Sequence, residues 1–292
     1  MVLFRGSGVA ITTPFNEKKE IDFKLLGDHV EFLIRNNTDC IVVCGTTGES
    51  STLKTWEKVE ISRYVVDKVN KRVPVLAGSG SNDTDTTIKT SKELSTTGID
   101  GLLVVTPYYN KATQKGLVKH YTQVANSVDL PIVLYNVPSR TSLNMLPFTV
   151  QELSKVENIV ALKEACGDIS QISQIFDICD KNFTIYSGND DQVLPILALG
   201  GVGVITTVGN IIPKDVHDLV VNFPHNIEES RRLQLKMLNL IRAIFSEVNP
   251  IPVKYALNLM GIGTSHLRAP LYEMEENNLS NLVVAMKDYG II

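Results

Sequence analysis

Lys163 ends the apolar run Ile159-Val160-Ala161-Leu162, a placement that takes water away from an ammonium group. Desolvation disfavours the charged form of a lysine and exposes its nitrogen lone pair, which a Schiff-base nucleophile needs. An isolated lysine there would more simply reach water or pair with Glu164. The polar residues that end the neighbouring apolar runs favour chemistry instead. Those ends read Gly45-Thr46-Thr47-Gly48-Glu49-Ser50, Gly78-Ser79-Gly80, Pro107-Tyr108-Tyr109-Asn110 and Tyr135-Asn136, with Arg140 shortly after the last. Thr46 and Thr47 can orient a carboxylate through hydroxyls and the amides of a Gly-flanked turn; Thr46-x-x-Glu49 equally fits a helix capping box. The phenols of Tyr109 and Tyr135 can donate and accept protons, and either ring equally suits aromatic packing. Arg140, in Val137-Pro138-Ser139-Arg140-Thr141, reads as a loop residue, either a bidentate carboxylate clamp or an exposed charge.

The elements that must position these groups follow from the apolar pattern. Short β-branched runs, each followed by a stretch with helical spacing, are the mark of βα units around a parallel sheet. Strands are predicted near Gly8 to Thr12, Cys40 to Cys44, Val73 to Ala77, Gly101 to Thr106, Ile132 to Tyr135, Ile159 to Lys163, Thr184 to Ser187 and Gly203 to Thr206. Helices are predicted over Asp22 to Arg35, Thr55 to Asn70, Asp83 to Thr97, Gly116 to Asn126, Ser170 to Asp180 and Pro213 to Val221. Phe23, Leu26, Val30, Leu33 and Ile34 give the first of them one apolar face. Such a count predicts an α/β fold, a (β/α)8 TIM barrel, whose reactive groups come from the C-terminal strand ends. After about Pro224 the strand signal stops, and Glu228 to Val248, Pro252 to Met260 and Ser280 to Tyr289 read as helices. The expected division is therefore a catalytic barrel over 1–224 and a C-terminal helical extension over 225–292.

Composition narrows the function. With 43% hydrophobic and 21% charged residues in 292, the chain can bury a large core, so disorder is excluded. A net charge of -4 from 28 basic and 32 acidic side chains argues against nucleic acid as a partner. Gln192 to Pro213 carries no charge, yet Pro195, Gly200, Gly201, Gly203 and Gly209 break it into a buried helix, a strand and a turn rather than a membrane span. Cys40, Cys44, Cys166 and Cys179 have no CxxC spacing and sit in or beside apolar runs, as buried thiols of a reducing compartment do. No secretory leader is read at the N-terminus, so the cytoplasm is expected. His29, His120, His217, His225 and His266 lack metal-ligand spacing; solvated or capping roles are expected, with no metal and no cofactor.

Taken together, Gly45 to Ser50 (GTTGES), Thr106 to Asn110 (TPYYN), Tyr135 to Thr141 (YNVPSRT), Ile159 to Ala165 (IVALKEA) and Asn249 to Lys254 (NPIPVK) resemble the dihydrodipicolinate synthase family of pyruvate-dependent class I aldolases, over essentially the whole chain. GTTGE and the sixth-strand lysine specify the superfamily chemistry, whereas the Arg after YNVPS distinguishes synthases from sugar-acid lyases. The resemblance implies a lyase that condenses pyruvate with L-aspartate 4-semialdehyde in lysine and diaminopimelate synthesis. It implies Lys163 as the imine-forming residue, Tyr135 as proton donor and acceptor, and Thr46 with Tyr109 as a relay to bulk water. It implies that Thr47 binds the pyruvate carboxylate, that Gly188 and Ile205 line the pyruvate pocket with their backbones, and that Arg140 holds the semialdehyde carboxylate. A homotetramer built as a dimer of dimers is implied as well, with Tyr109 supplied by a neighbouring subunit. Lysine-inhibited relatives carry histidine or glutamate where this chain has Thr55, Lys58 and Thr86, and a cation at Lys58 opposes a bound lysine ammonium; feedback inhibition is expected to be weak or absent. The competing readings are a sugar-acid aldolase of the same superfamily and a non-catalytic barrel that binds a small carboxylate.

Overall fold

The computed structural model describes residues 2–292. Eight parallel strands close into a barrel in sequence order: β1 (Gly6–Ala10), β2 (Cys40–Val43), β3 (Val75–Gly78), β4 (Gly101–Val105), β5 (Ile132–Asn136), β6 (Ile159–Glu164), β7 (Thr184–Ser187) and β8 (Gly203–Thr206). Closure comes from β8 pairing with β1, where Gly8 sits opposite Ile205. The TIM barrel expected from the strand count is the fold observed.

Alternation along the strands divides the core in two. Inward residues such as Ala10, Val42, Leu76, Leu103, Val133 and Ala161 fill the interior, into which Phe4 also packs by stacking on Tyr186 at 4.4 Å. Outward residues such as Ile41, Leu102, Leu134 and Leu162 meet the helix ring, including Leu26, Val30 and Leu33 of the helix Phe23–Arg35. That helix starts where expected because the Asp22 carboxylate accepts from Leu25 N at 2.9 Å, a side-chain N-cap. The uncharged stretch becomes the helix Val193–Ala198, strand β8 and a single 3-10 turn, Val208–Asn210. Among the described residues, no helix is long and apolar enough to cross a membrane.

Three helices, Ile227–Ile244, Ile251–Leu259 and Glu276–Tyr289, follow the barrel. Leu233, Met237, Val253 and Leu282 share one apolar cluster with Val204 of β8 and Leu219 of the preceding helix. This fixes the last segment against the C-terminal side of the barrel, where it contributes to the site.

Several sequence expectations are corrected here. The helices Pro138–Thr141 and Pro147–Leu153 were not anticipated, because each is short and opens on a proline in its first turn. Arg140 therefore stands in a helical turn, not a loop. His29 and His120 are buried and neither solvated nor caps; burial pushes both down to about 4. All four cysteines are free, but only Cys40 and Cys44 are buried, since Cys166 and Cys179 fall at element ends.

Candidate active site

Period-two geometry puts Tyr135, Lys163 and Tyr186 side by side, because β5, β6 and β7 are paired with Tyr135 opposite Lys163 and Lys163 opposite Tyr186. Lys163 follows Ala161 by two residues and so faces the interior, only 6% exposed. Its Nζ lies 4.3 Å from the centroid of the Tyr135 ring. Among the described residues, no carboxylate pairs with it within 4.0 Å. Asp190 is a buried carboxyl whose pKa is raised by burial and drawn back down by side-chain and amide hydrogen bonds and by the Lys163 charge. Asp190 Oδ2 accepts from Thr207 N at 3.1 Å and Val208 N at 2.9 Å, while its Oδ1 has no partner.

The next residues along β5 and β6 face outward. Glu164 accepts from Asn136 Nδ2 at 3.0 Å and Cys166 N at 2.8 Å. Asn136 Nδ2 also reaches Asn144 Oδ1 at 2.9 Å, and its Oδ1 accepts from Met145 N, so this layer anchors the chain that returns from Arg140. Burial pushes the Glu164 carboxyl up to about 7. The folded chain then holds more protons than the unfolded one between about pH 4.5 and 7, and this group's contribution to stability is lost as pH rises through 7. His29 and His120 slope the opposite way, being protonated more readily when unfolded. The informative quantity is thus the difference between wild type and Glu164→Gln. The variant is expected to gain about 3 kcal/mol relative to wild type between pH 4.5 and 7. Urea unfolding at both pH values measures this, and a pH-independent difference would refute it.

The turn after β2 does not form the capping box that Thr46-x-x-Glu49 permits. Glu49 has φ 56° and sends its buried carboxylate away from Thr46, to Lys254 Nζ at 2.6 Å and Arg268 N at 3.1 Å. Gly48 N and Ser50 N instead donate to Gly45 O, closing a tight turn that presents Thr47. Thr47 is buried; its hydroxyl oxygen lies 3.3 Å from that of Thr207 and accepts from Asn249 Nδ2 at 2.9 Å.

Gly188 follows β7 and donates its N–H to Glu164 O at 2.7 Å. A Cβ there would come within 2.8 Å of Ala165 Cβ, so the close approach of the two strand ends requires glycine. Ile205 belongs to the interior cluster. Arg140 is exposed on its helical turn and donates from Nη2 to Asn249 O at 3.2 Å.

A cleft of about 420 Å³ opens at the C-terminal strand ends, walled by Thr46, Tyr108, Tyr135 and Arg140 and extending over Thr55, Lys58 and Thr86. The structure thus brings Lys163, Tyr135, Thr47, Gly188, Ile205 and Arg140 to one end of the barrel. Tyr109 stands apart: the residue is 89% exposed and its backbone is left-handed, φ 73°. No hydrogen bond joins Thr46, Tyr135 and Tyr109 among the described residues.

Sequence reading missed Asp190, Thr207 and the site-facing roles of Asn249 and Lys254. The motif NPIPVK carried a signal, but its prolines read most simply as a helix start.

Comparison with known proteins agrees with this geometry. Residues 3–289 match the model of the Dihydrodipicolinate synthetase family. The chain is 53% identical over 291 residues to a 4-hydroxy-tetrahydrodipicolinate synthase of Acetivibrio thermocellus, with 99% of each chain covered. It superimposes on the dihydrodipicolinate synthase from Aquifex aeolicus with a TM-score of 0.96 at 40% identity, covering 99% of both chains. A lysine-bound dihydrodipicolinate synthase from Cyanidioschyzon merolae gives a TM-score of 0.97 at 37% identity, with both chains fully covered. A closed eight-stranded barrel with a lysine inside its C-terminal mouth, and relatives of this identity along the whole chain, place the protein in the dihydrodipicolinate synthetase family.

Proposed function

We propose that the chain catalyses the reaction of a 4-hydroxy-tetrahydrodipicolinate synthase, joining pyruvate to L-aspartate 4-semialdehyde in lysine and diaminopimelate synthesis. The observation that carries this reading is Lys163, buried with no counter-ion against the Tyr135 ring. An amine so placed can add to the pyruvate carbonyl and lose water to form an iminium. The iminium is an electron sink, so a methyl proton leaves and the resulting enamine attacks the aldehyde carbon. The new alkoxide takes a proton. The semialdehyde's own amine then attacks the imine carbon, closes the ring and displaces Lys163.

In this reading Tyr135 moves the protons, and Thr46 with Tyr109 carries them to water. Thr47 holds the pyruvate carboxylate, the backbones of Gly188 and Ile205 line that pocket, and Arg140 takes the carboxylate of the second substrate. The exposed, left-handed Tyr109 fits a ring that completes a neighbour's site, which takes at least a dimer, and the family resemblance implies a homotetramer made of two tight dimers. Residues 1–224 act as the catalytic barrel and 225–292 as a helical segment that braces its mouth. Free thiols fit a reducing cytoplasm.

The test is turnover with pyruvate and either aspartate semialdehyde or sugar-derived aldehydes. Preference for the semialdehyde, lost in Arg140→Ala, is expected; preference for a sugar aldehyde would select the aldolase reading.

Regulation follows from the cleft wall. Lys58 faces it, no acidic side chain lines it, and burial pushes the Lys58 ammonium down. A second ammonium gains nothing there. Millimolar lysine is therefore expected to leave turnover unchanged, and inhibition at that concentration would overturn the expectation.

A further inference from the structure

We propose that Asn249 is a positioning residue that sets the direction in which the Thr47 hydroxyl donates and links the two anion contacts of the site. The inference rests on the reading that Thr47 and Arg140 hold the two substrate carboxylates. Asn249 is 7% exposed, and its Nδ2 donates to Thr47 Oγ1 at 2.9 Å and, more weakly, to Thr207 Oγ1 at 3.5 Å. A side-chain amide nitrogen has protons only to give, so Thr47 must serve it as an acceptor. The single Thr47 proton is then left for another partner. Thr207 can rotate its own hydroxyl to donate to Thr47 across 3.3 Å, and Thr207 is itself held by its N–H bond to Asp190. A carboxylate, which only accepts, then receives the Thr47 proton.

The opposite amide orientation would draw that proton to Asn249 and turn Thr47 lone pairs toward the anion. Asn249 Oδ1 is buried and without a partner, so it accepts from neither threonine. The main chain of the same residue provides the second link, since Asn249 O accepts from Arg140 Nη2 at 3.2 Å. One residue from the C-terminal segment thus touches both the group assigned to pyruvate and the group assigned to the semialdehyde.

Asn249→Ala and the isosteric Asn249→Asp separate these roles. Steady-state kinetics with each substrate varied in turn, alongside thermal melts to measure folded protein, form the test. Truncation is expected to raise the pyruvate KM about tenfold with kcat within about threefold, the scale of one hydrogen bond to a charged group. The aspartate accepts the Thr47 proton and adds a like charge, so about a hundredfold rise is expected. Because the aspartate preserves shape, it tests the assignment even where truncation impairs folding. A pyruvate KM within twofold of wild type in both variants overturns the proposal. So does an aspartate variant that matches or outperforms the alanine variant, because an acceptor would then face the threonines. A fall in kcat alone, in step with folded protein, overturns it as well. Trapping of pyruvate on wild-type Lys163 tests the underlying reading separately: trapping with an unmoved KM removes only the role of Asn249.

Discussion

Lys163→Ala is expected to lower turnover by on the order of 10⁴-fold or more, because it deletes the nucleophile through which the proposed imine forms. Borohydride reduction in the presence of pyruvate, followed by peptide mapping, should place an adduct on Lys163 in the wild type and none in the variant. Stability should fall only modestly. The substitution gives up the contact of Nζ with the Tyr135 face, about 0.5–2 kcal/mol, together with the packing of the buried side-chain stem, and breaks no ion pair among the described residues. A folded, inactive variant therefore separates chemistry from structure. An adduct on another lysine, or turnover retained in the variant, would refute the mechanism.

The second large effect concerns stability. Lys254 and Glu49 form an ion pair at 2.6 Å with both side chains 1% exposed. Lys254 Nζ also donates to Thr13 O at 3.0 Å and lies 4.3 Å from the Phe15 ring centroid, and burial pushes its ammonium down to about 8 against the pull of Glu49. Lys254→Met leaves the Glu49 carboxylate buried with only the Arg268 amide, which should cost about 3–5 kcal/mol and lower the melting temperature by roughly 6–20 °C. Since Glu49 lies within the turn that presents Thr47, the proposed pyruvate contact, the pyruvate KM should rise as well. The double variant Glu49→Gln/Lys254→Met should recover much of the lost stability, because no uncompensated charge remains. Additive losses in a double-mutant cycle would show that the two groups are independent.

That ion pair also marks where sequence reading ended. Glu49 in GTTGES fits a local capping box, and nothing in the spacing of the motif shows that its partner lies in NPIPVK, at Lys254, far along the chain. The pairing exists because the helix Ile251–Leu259 packs over the open end of the barrel, which only the closed fold decides. Asp190 and Thr207 were invisible for the same reason: hydrogen bonds across separate strand ends leave no periodic trace.

What the sequence determined by itself is what local pattern encodes. Eight β-branched runs set the strands, and the polar residues that end five of them, Tyr135 and Lys163 included, marked the mouth of the barrel. Tertiary structure alone decided what those groups face: the Tyr135 ring over Lys163, the Asn249 amide on Thr47, and the Asn249 carbonyl under Arg140. Periodicity fixes the side of a strand from which a side chain leaves, whereas the atoms it meets there are set by register and closure of the barrel, properties of the whole chain.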